Sequence, residues 1–201
     1  MIGIIDYGAG NLKNVRNALS RLGFESIVTG DIDKLSKCDK LIIPGVGAFE
    51  DGMKGLVKNN LTDFLHEWVK EGKYILGICL GMQLLFDKSY EMGEHKGLGF
   101  IKGEVVPFDI PGEYKVPHMG WNELTINRDD NIVHNVKNGE YVYFVHSYHA
   151  DNMNDEDLVA YSDYYYKVPA VVRHGNVIGM QFHPEKSDKT GEKLLLNYLG
   201  E

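Results

Sequence analysis

Two textures alternate along the first half of the chain. Residues 2–5, 24–28, 40–43 and 74–78 are short, largely apolar runs of strand length, and the stretches between them place apolar residues at helical spacing. Leu12, Val15, Ala18, Leu19 and Leu22 make one such stripe, closed by Gly23; Leu61, Phe64, Leu65, Trp68 and Val69 make another, closed by Gly72. Strands that alternate with helices pair in parallel through right-handed crossovers. The predicted fold is therefore α/β, a doubly wound, mostly parallel sheet flanked by helices, with ligands bound at the carboxyl ends of its strands.

From Ile101 onward the texture changes. Strand-like runs at residues 105–108, 141–145, 158–161, 170–172 and 177–182 are separated by turn residues, so an additional, largely antiparallel portion is expected in the C-terminal half. A last helical stripe, with Leu194, Leu195, Tyr198 and Leu199, is placed to pack back on the sheet. With 201 residues, 43% of them hydrophobic and 25% charged, one domain over 1–201 is the expectation.

Charge narrows the partners. A formal net charge of −8 lacks the clustered Lys and Arg that would neutralise a phosphate backbone, so nucleic acid is not expected. Only two cysteines occur, Cys38 and Cys79, which predicts free thiols in a reducing compartment, the cytoplasm. The opening apolar run is too short for a signal segment, and no run approaches the roughly 20 residues of a membrane span. Without H-x-x-x-H or C-x-x-C spacing, neither a metal nor a cofactor is expected. His66, His95, His134 and His174 read as surface residues.

Three segments carry candidate chemistry. Gly77-Ile78-Cys79-Leu80-Gly81 ends an apolar strand and runs into a helical stretch, 80–86: a nucleophile elbow with cysteine in place of serine. The flanking glycines suit a turn that any Cβ would crowd, and a thiol at a helix N-terminus is biased toward the thiolate. A buried structural cysteine between two glycines is the alternative. At the end of the strand 177–182, His183-Pro184-Glu185 supplies an imidazole and a carboxylate two residues apart, the base and the orienting acceptor that a thiol nucleophile requires. Taken alone, that tripeptide could equally be a surface turn. Pro44-Gly45-Val46-Gly47 follows the third strand, and the main-chain N–H groups of Gly47 and Leu80 could form an oxyanion hole. That segment could also be a plain strand-to-helix turn; no Gly-Lys-Ser/Thr follows it, which disfavours a nucleotide loop.

The three motifs in this order resemble the triad-type, class I glutamine amidotransferases over essentially the whole chain. Within that family, residues 5–12 (Ile-Asp-Tyr-Gly-Ala-Gly-Asn-Leu), 117–122 (Pro-His-Met-Gly-Trp-Asn), 143–148 (Tyr-Phe-Val-His-Ser-Tyr) and 181–187 (Gln-Phe-His-Pro-Glu-Lys-Ser) are similar to the glutaminase branch that serves imidazole glycerol phosphate synthesis in histidine biosynthesis. The resemblance implies a Cys79–His183–Glu185 triad that hydrolyses glutamine to glutamate. It implies substrate contacts at Gly45, Gly81, Gln83, Ser147 and Tyr148. It further implies a heterodimer with a cyclase subunit that docks over the site at Trp121, Asn122, Tyr143 and Lys186 and receives the ammonia through a channel. Glutaminase activity that stays weak until the partner binds its own substrate is part of the same implication, and the glycine-flanked strand end at Gly47 is where such a switch is expected. Other triad glutaminases, serving anthranilate, guanylate or pyridoxal phosphate synthesis, remain the nearest alternative. A subunit that keeps the fold without the chemistry, or a γ-glutamyl peptidase acting alone, are readings of different classes.

Overall fold

A computed structural model describes residues 1–201. In chain order its strands are β1 (Ile2–Ile5), β2 (Ser26–Thr29), β3 (Lys40–Gly45), β4 (Ile75–Cys79), β5 (Phe86–Ser89), β6 (His95–Lys96), β7 (Ile101–Pro107), β8 (His118–Glu123), β9 (Thr125–Ile126), β10 (Tyr141–His146), β11 (Tyr148–Asp151), β12 (Leu158–Tyr164), β13 (Tyr166–His174) and β14 (Val177–Met180). The α-helices are α1 (Leu12–Arg21), α2 (Ile32–Leu35), α3 (Phe49–Lys58), α4 (Leu61–Lys70), α5 (Leu80–Gln83) and α6 (Asp188–Gly200).

An eight-stranded sheet in the order β2-β1-β3-β4-β14-β13-β12-β9 forms the frame. Its first five strands are parallel and its last three antiparallel. Alternate side chains of the parallel strands enter two separate cores. Ile4, Ile42, Leu76, Ile78, Ile178 and Met180 meet Val15, Leu19, Leu194 and Tyr198 of α1 and α6 on one face. Ile5, Leu41, Ile43, Ile75 and Val177 meet Leu56, Leu61, Leu65 and Trp68 of α3 and α4 on the other. Both faces are covered, which is why these strands read as unbroken apolar runs rather than alternating ones. Truncating a fully buried contact such as Leu65 to alanine costs about 2–5 kcal/mol by lost burial and the cavity left behind.

Two smaller sheets close one end of this frame: β11-β7-β5-β6, and the ribbon β10-β8. The ribbon alternates strictly. Met119, Trp121 and Tyr143 lie on its outer side, whereas His118, Val142, Phe144 and His146 are buried on its inner side.

Two sequence expectations change. The helical stretch expected over 80–86 ends at Gln83, and Phe86 starts β5. Leu84 and Leu85 carbonyls accept instead from Leu98 and from Phe100 and Ile101, so tertiary pairing overrides local helical spacing there. The last strand of the antiparallel half, β14, lies parallel to β4, with Gly179 opposite Gly77 and Met180 opposite Ile78.

Candidate active site

That parallel pairing builds the site. Cys79 ends β4, and Gln181-Phe182-His183 follows β14, so residues more than a hundred positions apart leave neighbouring strands on the same edge of the sheet. Cys79 has φ 55° and ψ −112°, a sparsely populated conformation for a residue with a Cβ, and it aims the thiol out of the sheet. The elbow is pressed so closely on its surroundings that a Cβ at Gly81 would lie 1.8 Å from the Ile43 carbonyl oxygen, and one at Gly77 would lie 2.5 Å from the Gly81 oxygen. Gly45 stands directly opposite Cys79 in β3, where a Cβ would meet the Gly81 nitrogen at 2.7 Å. These glycines are therefore a steric requirement of the turn. Gly45 and Gly81 lie behind the pocket wall, whereas Gly47, with φ 106°, lines the pocket itself.

The His-Pro-Glu segment is a 3-10 turn clamped on all sides. The His183 N–H donates to Tyr143 O at 2.9 Å, and the Ser187 hydroxyl donates to His183 O at 2.6 Å while accepting from Tyr143 N–H at 3.0 Å. His183 Nδ1 donates to Glu185 Oε1 at 2.8 Å, and the two side chains are only 2% and 1% exposed. With Nδ1–H held by the carboxylate, Nε2 is the free ring nitrogen, and it is buried without a hydrogen-bond partner in the chain. Burial alone would lower the imidazole's proton affinity; negative charge on the neighbouring Cys79 sulfur and on the Glu185 carboxylate more than offsets it and holds the pKa up to about 9.

The pocket, about 280 Å³, is lined by Cys79, His183, Gly47, Leu80 and Gln83, and its far wall is the segment Val145 to Tyr148 where β10 hands over to β11. The thiol donates to Val145 O across 3.8 Å, and Gln181 Nε2 reaches Cys79 Sγ at 3.9 Å. Gln83 is already committed. Its amide nitrogen donates to Tyr148 O at 3.0 Å and to Gln181 Oε1 at 3.1 Å, which leaves its carbonyl oxygen to face a ligand. Ser147 and Tyr148 line the pocket as expected.

Sequence reasoning did not single out Glu91, a pocket carboxylate whose Oε2 accepts from Phe49 N–H at the start of α3, 2.8 Å away. It lies in a turn between β5 and β6, and nothing local marks it. Gln181, at the start of the 181–187 segment, also reaches the sulfur, a contact that no spacing along the chain predicts. Tyr7, from the opening motif, supports the glycine turn by donating its hydroxyl to Pro44 O at 2.6 Å. His66, His134 and His174 are exposed, as expected, while His95 is half-buried beside Glu50. Outside the mouth, Trp121 is 50% exposed and meets the Tyr143 ring edge-on at 6.0 Å, with Lys186 Nζ 5.9 Å from the same ring. Asn122 is half-buried on the inner side of β8.

This fold and site define a class, and the comparisons agree with it. The sequence profile of the family described as glutamine amidotransferase class-I matches residues 3–199, and the chain belongs to that family: it is a glutamine amidotransferase. Among similar proteins is the imidazole glycerol phosphate synthase subunit HisH of Caldanaerobacter subterraneus subsp. tengcongensis, 48% identical over 98% of this chain and 97% of the relative. The subunit of the same name from Halalkalibacterium halodurans is 51% identical over 98% of this chain and 94% of its own. A crystal structure of a glutamine amidotransferase shares the fold with TM-score 0.78 at 20% identity, covering 99% of this chain and 97% of that one. No helix is long and apolar enough to cross a membrane.

Proposed function

We propose that this chain is the glutaminase subunit of an imidazole glycerol phosphate synthase, with Cys79, His183 and Glu185 as its triad. The observation that carries the reading is the convergence of the Cys79 elbow and the buried His183–Glu185 pair on one glycine-edged pocket at the carboxyl ends of β4 and β14. Relatives about half identical over nearly full length support the choice of branch.

The chemistry follows from the geometry. With the proton held on His183 Nε2, Cys79 Sγ attacks the side-chain amide carbon of glutamine. The tetrahedral oxyanion is held by main-chain N–H groups at Leu80 and Gly47. His183, kept protonated by Glu185, gives its proton to the departing nitrogen, which leaves as ammonia and a thioester remains. Water, deprotonated by the now neutral His183, hydrolyses the thioester to glutamate and restores the thiol. Gln83 Oε1, Ser147, Tyr148 and Glu91 grip the amino-acid end, Glu91 supplying a negative charge for the substrate ammonium. Gly45 and Gly81 act here through the shape of the turn.

Ammonia in water becomes ammonium and loses its nucleophilicity, so the product is useful only when delivered directly. Exposed Trp121 and Lys186 around the half-buried Tyr143 ring, with Asn122 on the inner side of the same ribbon, make the surface on which a cyclase subunit docks to receive it. An exposed tryptophan against a tyrosine ring, flanked by a lysine, is the composition of an interface core. Gly47 is the site of partner-dependent switching. The chain acts as one domain over 1–201, in the cytoplasm, without a metal or cofactor.

The test is glutamate formation from glutamine, measured with and without a histidine-pathway cyclase subunit and its phosphorylated ligand. Turnover that rises only with both present supports the reading. Robust turnover by the chain alone, or activation only by a synthase of anthranilate, guanylate or pyridoxal phosphate formation, refutes it.

A further inference from the structure

Three side chains that take no part in the chemical steps form a continuous hydrogen-bonded line from the inner side of the β8–β10 ribbon to the pocket wall. Asn122 Nδ2 contacts His118 Nε2, His118 Nδ1 lies 2.9 Å from His146 Nε2, and His146 Nδ1 lies 2.8 Å from Tyr148 O. Gly120, at φ 128°, lies in β8 between Asn122 and His118, in a conformation that side-chain-bearing residues rarely adopt. The polarity of the line is set at its inner end. A backbone carbonyl only accepts, so His146 Nδ1 must carry a proton and, in the neutral ring, its Nε2 must accept. His118 Nδ1 therefore donates, His118 Nε2 accepts, and Asn122 must present its N–H. Burial keeps both rings neutral, His118 with a pKa down to about 4 and His146 about 3, so no charge interrupts the sequence.

The line ends on the Tyr148 carbonyl that also holds Gln83, and on the corner at Ser147 that forms the far wall of the pocket. His118 itself touches no part of the pocket: it is fully buried and stacked between Phe144 at 4.5 Å and Tyr164 at 4.1 Å. We propose that His118 is a positioning residue for glutamine binding, fixing the Ser147 corner through His146, and that Asn122 is the end of this line on which a docked partner acts. The proposal rests on the functional reading above and extends it to His118 and His146, which that reading leaves idle.

Two substitutions separate hydrogen bonding from packing. His118→Phe keeps the aromatic stack and removes the donor, leaving His146 Nε2 buried and unpaired. His118→Asn keeps a donor near the Nδ1 position and loses the stack. In the complex with saturating cyclase subunit and its phosphorylated ligand, His118→Phe is expected to raise KM for glutamine roughly tenfold, with kcat within about threefold of wild type. His118→Asn should stay within about threefold in both. Asn122→Leu should raise KM about threefold, and serves as the measurement if thermal unfolding shows that the His118 variants do not fold.

A wild-type KM in His118→Phe, a loss in His118→Asn equal to or greater than that in His118→Phe, or a fall in kcat without a rise in KM would overturn the proposal. Where the His118 variants do not fold, an unchanged KM in Asn122→Leu does the same. A wild-type complex that forms no glutamate at all defeats the functional reading instead, so the two failures are told apart.

Discussion

The two walls of the pocket are built on different principles. The wall made by β3, β4 and the elbow is backbone against backbone: Gly45, Gly77 and Gly81 leave no room for a methyl group, and Cys79 is held in a strained conformation by what surrounds it. The opposite wall, where β10 gives way to β11 at Ser147, is suspended from side-chain hydrogen bonds of His146 and Gln83 to one carbonyl. Close-packed backbone admits no gradation, whereas a hydrogen-bonded corner shifts by degrees and is connected to the surface through His118 and Asn122. Cys79 sits on the unyielding side, and the Ser147 corner is the adjustable one.

Substitutions can break that contrast, and the largest effect is expected at the elbow. Gly81→Ala drives a methyl group into the Ile43 carbonyl and should cost at least about 4 kcal/mol, read as loss of soluble, cooperatively unfolding protein. Recovery of a folded, active Gly81→Ala protein would show that this wall does yield. Next comes Cys79→Gly, which removes the thiol and relieves the backbone together. Glutamate formation should drop by at least about 10⁴-fold while stability rises by about 1 kcal/mol, seen as a melting temperature a few degrees higher. A variant no more stable than wild type would mean that the elbow stores no strain.

The third effect is a pH dependence. His183 has a pKa of about 9, above its ordinary value, so the proton needed by the leaving ammonia is present below that pH and lost above it. In the cyclase complex, kcat/KM should fall as pH rises through about 9. Glu185→Gln removes one of the influences that raise the value, so the alkaline limb should move to lower pH, with kcat/KM reduced about 10²-fold near neutrality. An unmoved limb would assign it to another group. Smallest is Ser147→Ala on the adjustable wall, expected to raise KM for glutamine about two- to fivefold with little change in kcat.

The parallel half is legible in the sequence because periodicity and punctuation agree there. Strand-length runs doubly covered by helices and stripes ended by Gly23 and Gly72 are local signals with local causes, and the elbow glycines announced the turn they permit. Local pattern and final structure part where local and tertiary preferences compete. Leu84 and Leu85 fit a helix but give their carbonyls to residues 98–101, and β14 joined the parallel set although it follows an antiparallel hairpin partner. Glu91 was invisible because its place in the pocket depends on the start of α3, a segment far from it in the chain.

The sequence by itself determined which chemical groups this protein has and the backbone conformations that present them: a cysteine between glycines, a histidine two residues before a glutamate, a glycine turn after a strand. Such features depend on steric and bonding rules that reach only a few residues. Tertiary structure alone decided that β14 lies beside β4, that Glu91 enters the pocket, and that Asn122, His118 and His146 fall into one line. Each of these is a contact between distant segments, chosen by the burial of whole faces and the pairing of buried polar groups, and no window along the chain contains both partners.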